Sequence, residues 1–245
     1  MSQWPQGFDR VVLDEIDSTN AEAKRRADQC GAPLWIMAWA QSAGVGRRGR
    51  VWNSARGNFS ATLLKPINGT LTQVALHSFV TALALYDALV EVTGTPDRFT
   101  LKWPNDVLCD GRKLAGILLE TCGNGPSHLC IGVGVNLAHS PDISALEAGS
   151  ATPIDLGAVV GPEDFLEVLA AKFAQREANF ATHGFGPTRT AWLAHAARIG
   201  QVITARMPRR EITGIFHTID DEGAVVIEAN GTRHAITAAD IFFES

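Results

Sequence analysis

The chain has 245 residues, 46% of them hydrophobic and 19% charged, with a formal net charge of −5 at pH 7. That length supports a well-buried core in one large domain or a large domain plus a small one, and the negative charge argues against general polyanion binding. The four cysteines form no CxxC pair, the start "MSQWPQGFDR" lacks a secretory pattern and no unbroken apolar run reaches about 18 residues, so reduced thiols, a cytoplasmic location and no membrane span are expected.

In chain order, "RVVLDEI" (10–16) predicts a strand and "STNAEAKRRADQC" (18–30) a helix, capped by a hydroxyl at its start and closed by Gly31. "LWIMAWA" (34–40) and "NFSATLLKP" (58–66) read as strands on either side of a glycine- and arginine-rich loop. Residues 71–92 are apolar around most of a helical circumference and predict one long central helix. "RFTLKWPND" is a strand with a loop tip, "VLCDGRKLAGILLE" two strands meeting at Asp110-Gly111, and "HLCIGVGVNLA" another strand. "PEDFLEVLAAKFAQREANFATHG" and "PTRTAWLAHAA" are helices. From about Gly200, "QVITAR", "EITGIFHTID", "AVVIEA" and "TRHAITA" are short strands separated by Asp221-Glu222-Gly223 and Asn230-Gly231 turns. The whole predicts a mixed sheet packed against helices with a small β unit at the C-terminus.

Two stretches gather chemistry. "GVGRRGRVW", Gly44 to Trp52, sets three arginines among three glycines. Glycine lets a backbone approach a ligand closely and arginine offers forked donors for phosphate, so the loop suits an anion; a solvated basic turn is the plain alternative. "KWPNDVLCDGRKLAGILLE" sets Lys102, Asn105, Asp106 and Lys113 among core-type residues. Alternation places Lys102 opposite Phe99, Leu101 and Trp103, and Pro104 ends the strand with Asn105 and Asp106 at its tip. Gly116 leaves room for something to lie against the backbone. Structurally, Asp106 could equally cap a turn and Lys113 could be a hairpin edge charge.

"STN" opening a helix, Gln41 before the loop, "RRGRxW", "KWPND", "KLAGIL" and "GVGVN" stand in the order and similar spacing of bacterial biotin protein ligases. Over nearly its whole length the chain resembles that family, in the short form without an N-terminal DNA-binding domain. The resemblance implies an α+β fold, with the mixed-sheet catalytic domain of biotin and lipoate ligases and class II synthetases at 1–198 and a small SH3-like β-barrel at 199–245. It also implies two-step chemistry. Biotin and ATP give biotinyl-5′-AMP and pyrophosphate, and a lysine of a carrier protein then takes the biotin. Mg²⁺ is expected to screen the triphosphate. The implied acceptor is the biotin carboxyl carrier protein of acetyl-CoA carboxylase or a related carboxylase, and homodimerisation through a sheet edge is a possibility the family offers.

Carried onto this sequence, the family pattern puts Arg47 and Lys113 between the biotin carboxylate and the α-phosphate. Arg48 and Arg50 serve pyrophosphate or loop closure. Ser18, Thr19, Asn20 and Gln41 match the ureido head, with the "STN" run also an N-cap. Val45, Gly46, Gly116 and Ile117 line the biotin, Asn105 and Asn136 pair with adenine edges, and Asp106 orients the incoming lysine. Trp52 packs over the ligand or belongs to the core. No residues are assigned as metal ligands.

Val45 departs from the family, where the loop commonly reads "GRGRRGR"; a backbone contact survives that change and a side-chain contact does not. No helix-turn-helix precedes the first strand, so specific DNA binding is not expected. Two alternatives remain. A lipoate or octanoate ligase would want an apolar tunnel in place of the polar quartet, and a non-catalytic biotin-binding regulatory module would dispense with Lys113 and Asp106.

Overall fold

Seven strands build the larger sheet of the computed structural model, which describes residues 3–142 and 152–243. They are β1 (Asp9–Ile16), β2 (Leu34–Gln41), β3 (Phe59–Pro66), β4 (Phe99–Lys102), β5 (Asp106–Cys109), β6 (Arg112–Cys122) and β7 (His128–Val135), in the order β1-β2-β3-β7-β6-β5-β4. β1 and β2 are parallel, with α1 (Thr19–Arg26) crossing between them, and every other neighbouring pair is antiparallel. The β5–β6 turn has Asp110 at φ 50° and Gly111 at φ 74°, the left-handed pair that a two-residue hairpin turn demands.

Alternation along β7 divides the sheet's two faces. Ile131, Val133 and Val135 point into the main apolar core, which they share with Trp35, Leu63, Leu83, Phe165 and Phe173. That face is covered by α3 (His77–Thr93), α4 (Pro162–His183) and α5 (Phe185–Ala194). Phe59 meets Phe165 and Trp35 meets Phe173 edge-on, with centroids 5.1 and 6.0 Å apart. Cys130, Gly132 and Gly134 point to the opposite face. There α1 packs a small cluster of Ala23, Ala27, Ile36, Leu64 and Cys130 at one end and leaves the rest open.

Two local expectations are corrected. The segment 71–92 is two helices, α2 (Leu71–Ala75) and α3, meeting at Leu76; a capping box between Thr70 and Gln73 starts the first. By composition Leu71–Thr93 is apolar enough to cross a membrane, with mean hydropathy 1.4 over its most apolar 18-residue window, but 67% of that window is buried in the core. α1 ends at Arg26 and a single 3-10 turn (Ala27–Gln29) follows, after which Cys30 is extended, so Gly31 closes no helix.

The C-terminal unit is an antiparallel sheet of β8 (Val202–Met207), β9 (Arg210–Ile219), β10 (Val225–Ala229), β11 (Thr232–Ile236) and β12 (Asp240–Phe243), in the order β11-β10-β9-β8-β12. Among the described residues no ladder joins β11 to β12, so the expected small β domain is an open five-stranded sheet. β12 carries no signal that the sequence pattern revealed. Ile203, Ala205, Phe216, Ile219 and Val225 extend the main core into this unit. Trp103, just beyond β4, donates its indole N–H to the Gly223 carbonyl at 3.0 Å. Gly223 sits so close to the larger unit that a Cβ there would meet Phe79 at 2.9 Å and Leu76 at 3.0 Å.

Candidate active site

A cleft of about 580 Å³ opens on the α1 face of the larger sheet, between the start of α1, the glycine–arginine loop, the tips of β4 and β5, and β12. Its floor is backbone. Gly116 of β6 is registered opposite Gly134 of β7, and Gly132 lies two residues along the same face. Side chains fill the space these glycines leave. A Cβ on Gly134 would lie 2.3 Å from the Trp52 indole, and one on Gly132 would lie 2.3 Å from Asn20 Oδ1. The "GVGV" run thus supplies a close approach that no larger residue allows. The Trp52 Nε1 proton is buried and has no partner.

At one end the wall is neutral and polar. Gln41 Oε1 accepts from Thr19 N at 2.7 Å and from Thr19 Oγ1 at 3.0 Å, while Gln41 Nε2 donates to Ser54 Oγ at 2.6 Å. The Thr62 hydroxyl lies within reach of both Thr19 Oγ1 and Asn20 Oδ1, at 2.8 and 2.5 Å. Asn20 Nδ2 donates to Glu120 at 2.8 Å, and Lys24 Nζ donates to the other oxygen of that carboxylate at 2.7 Å. Burial alone would raise the Glu120 carboxyl, but the hydrogen bonds from Asn20 and Lys24 and the charge of Lys24 hold it below its ordinary value. Ser18 occupies the N-cap position without the expected side-chain cap bond; it is buried and lines the cleft.

The other end is charged. Arg47, Arg50, Lys102 and Lys113 line it, with Asp106, Asp142 and Asp240 among them. Lys113 Nζ is 2.7 Å from Asp106 Oδ1 and 5.7 Å above the Trp52 ring. Burial pulls Arg47 below the usual guanidinium range despite the neighbouring Asp240 and Asp106, and it likewise lowers Lys102 against the pull of Asp106. Cations gathered in a half-buried cleft are a site for an anion. The loop itself is a narrow hairpin. Val45 bridges Val51, Gly46 N donates to Arg50 O at 2.7 Å, and the tip turns at Arg48 with φ 57°.

All of the sequence-derived site residues except Arg48 line this one cleft. Arg48 stands beside it on Asp240. Some differ in detail from their expected use. Asn105 has both ends of its amide engaged, its Oδ1 accepting from Arg47 Nη1 at 3.2 Å and its Nδ2 donating to the Ile117 carbonyl at 2.7 Å. Asn136 donates to the Ile154 carbonyl at 3.1 Å. Ile117 is 2% exposed and belongs to the main core, opposite in face to Gly116, so the cleft meets its backbone. Several contributors escaped the sequence pattern. The alternating Gly132 and Gly134 were a visible signal; Ser54, Thr62, Glu120 and Asp240 carried none, because only tertiary pairing brings them here.

Residues 12–136 match the model of the biotin/lipoate A/B protein ligase family, and residues 199–244 that of the biotin protein ligase C terminal domain. The chain is 48% identical over 239 residues to the biotin–[acetyl-CoA-carboxylase] ligase of Paracoccus denitrificans, covering 95% of this chain and 99% of that protein. It is 30% identical to the bifunctional ligase/repressor BirA of Bacillus subtilis, covering 94% of this chain and 73% of the relative. Among solved structures, the biotin protein ligase of Aquifex aeolicus in complex with biotin and ATP superposes with a TM-score of 0.79 at 23% identity, covering 95% and 97% of the two chains.

Proposed function

This chain belongs to the biotin/lipoate A/B protein ligase family, and from that premise we propose how its cleft carries out ATP-dependent biotin ligation. The observation that carries the reading is the cleft's two-ended chemistry on a glycine floor. A neutral polar wall of Ser18, Thr19, Asn20 and Gln41 suits a ureido ring, and a cationic end of Arg47, Lys102 and Lys113 suits a carboxylate beside a phosphate. An octanoyl or lipoyl tail carries no polar head to exchange hydrogen bonds with that wall.

In the first step a carboxylate oxygen of biotin attacks the α-phosphorus of ATP, the new C–O–P linkage forms and pyrophosphate leaves. Both reactants are anions. Arg47 and Lys113 offset their repulsion at the point of approach, and a preorganised donor of this kind is worth about 3–4 kcal/mol in the transition state. Among the described residues no three His, Cys, Asp or Glu side chains cluster, and no metal ligands are assigned among them. Mg²⁺ would come with the triphosphate and screen its charge.

In the second step the amine of an acceptor lysine attacks the mixed anhydride and AMP departs. The acceptor we propose is the biotin carboxyl carrier protein of acetyl-CoA carboxylase. With an ordinary pKa near 10.4 that lysine is neutral only about 0.04% of the time at pH 7, a handicap of about 4.6 kcal/mol. Asp106 orients the ammonium and receives its proton once Lys113 has turned from it to the ligand's oxygens. Incubation with ATP and labelled biotin followed by mass spectrometry tests the reading: biotinyl-5′-AMP is the expected product, and its absence from active-folded protein would reject the assignment.

A further inference from the structure

Beside the glycine floor stands a hydroxyl for which the site so far has no use. Ser60 of β3 is registered directly opposite Gly134 of β7, lines the cleft and is 3% exposed. Its Oγ is buried and, among the described residues, has no hydrogen-bond partner. Such a group costs stability in the empty protein, because it has lost water and gained no bond in return. Thr62, two residues along the same strand and opposite Gly132, gives the contrast. Its hydroxyl reaches Thr19 and Asn20, so it lies beneath the neutral polar wall. Two residues of strand span about 6.6 Å, which sets Ser60 that far towards the charged end, level with Gly134 and Gly116. The indole N–H of Trp52, whose ring packs against Gly134, is likewise buried and without a partner. Two donors beside Gly134 thus lack an acceptor.

We propose that Ser60 is a specificity-determining residue whose hydroxyl donates to the thioether sulfur of biotin. The inference rests on reading the cleft as a biotin site with the ureido ring against Thr19, Asn20 and Gln41. In the fused bicycle the ureido carbonyl and the sulfur lie at opposite ends, so a ureido ring seated at the level of Thr62 carries the sulfur ring towards Ser60. The wall answers the ureido group and the cations answer the carboxylate, which leaves the sulfur as the ligand's unmatched acceptor. A thioether accepts only weakly, and a hydroxyl with no competing partner is the donor best placed to use it. Ser60 thereby lets the site read the ring heteroatom, at the expense of an unpaired hydroxyl whenever the cleft is empty.

The test is calorimetry without ATP, so that no chemistry intervenes, on the native protein and Ser60→Ala with three ligands: biotin, its analogue with oxygen in place of the sulfur, and dethiobiotin, which lacks the heteroatom. Ser60→Ala should bind biotin about three- to tenfold more weakly, the range of one neutral hydrogen bond. The oxygen analogue should lose at least as much, since an ether oxygen is the stronger acceptor, and dethiobiotin should change by less than about twofold. Thermal unfolding gives a second readout that a merely structural role would not reproduce. Without ligand, Ser60→Ala should melt between the native Tm and about 4 °C above it, because an unpartnered buried hydroxyl is removed; with saturating biotin its gain in Tm should be smaller than the native gain. Unchanged biotin binding, equal weakening of all three ligands, or a lower Tm of the empty variant would each overturn the proposal, the last by showing that the hydroxyl already has a partner. Gln41→Ala tests the premise separately. If the native protein binds none of the three ligands, the biotin reading fails and the proposal falls with it; if Gln41→Ala weakens all three alike while Ser60→Ala changes nothing, the biotin site stands and the role of Ser60 alone is wrong.

Discussion

Gly134→Ala puts one methyl group into the floor of the cleft. The new Cβ would lie 2.3 Å from two indole atoms of Trp52 and 2.7 Å from a third, more than an ångström inside ordinary contact. β7 cannot retreat, because it is hydrogen-bonded to β3 on one side and β6 on the other. The indole must move, and with it the ring beneath Lys113. Overpacking of this kind costs about 1–3 kcal/mol, which for a chain of this size lowers Tm by about 3–10 °C. Displacing the ring and the lysine by about 1 Å should slow biotinyl-5′-AMP formation by about 10- to 100-fold. Thermal unfolding and a pyrophosphate-release assay measure the two effects. The decisive experiment is the double-mutant cycle with Trp52→Ala: once the indole is absent, the stability penalty of Gly134→Ala should shrink to below about 0.5 kcal/mol. Gly116→Ala, whose Cβ would meet the same ring at 3.4 Å, serves as the control and should leave Tm nearly unchanged. A penalty of equal size with and without Trp52 would refute the reasoning, since the strain would then lie in the strand and not against the ring.

Other outcomes follow from the same geometry. Arg47→Ala and Lys113→Ala should each reduce adenylate formation by about 100-fold or more in the pyrophosphate-release assay, the loss of one preorganised donor. Asp106→Asn should leave biotinyl-5′-AMP formation largely intact and slow transfer to the carrier, with partial rescue towards pH 10 where the acceptor lysine supplies its own neutral form; loss of the first step alone would move Asp106 to the nucleotide. Far from the cleft, burial would raise the Glu177 carboxyl, but the hydrogen bond from His77 and the charges of His77 and Lys65 overcome it and hold it at about 2. A depressed carboxylate contributes stability that is complete above its unfolded value near 4.5 and disappears as pH falls through about 2. Glu177→Gln should therefore be destabilising at pH 7, by about 3 kcal/mol or more, and the gap in Tm between it and the native protein should close as the pH is lowered from 4.5 towards 2.

The elements most legible in the sequence are those whose signals are local. Alternation and the Asp110-Gly111 turn define β5 and β6, and the "KWPND" tip was visible because Pro104 interrupts a strand beside polar residues. The break at Leu76 was hidden because apolar residues run through it, although Thr70 and Gln73 form a capping box just ahead. Ser18 has the right chemistry for a cap and does not make one; the same short polar residue serves either purpose, and its neighbours decide. Asn105 illustrates the opposite limit, since an amide that suits a nucleobase edge instead bonds Arg47 and a backbone carbonyl. β12 was missed altogether. It is four residues long, and its Asp240 meets Arg48 across 192 residues of sequence, a pairing that no window along the chain contains.

The bond from Trp103 to Gly223 bears on how such enzymes can diversify. The indole that makes it stands two residues before Asn105, and the glycine that accepts it rests on Phe79 and Leu76. The C-terminal sheet is therefore no interchangeable cassette, although it is contiguous in sequence. A chimaera that exchanged residues 199–245 with those of a distant relative would place its seam through the packed interior, beside the tip that carries Asp106. Such hybrids should inherit function only when Leu76, Phe79 and Trp103 travel with the sheet they support, so the two halves are constrained to drift together.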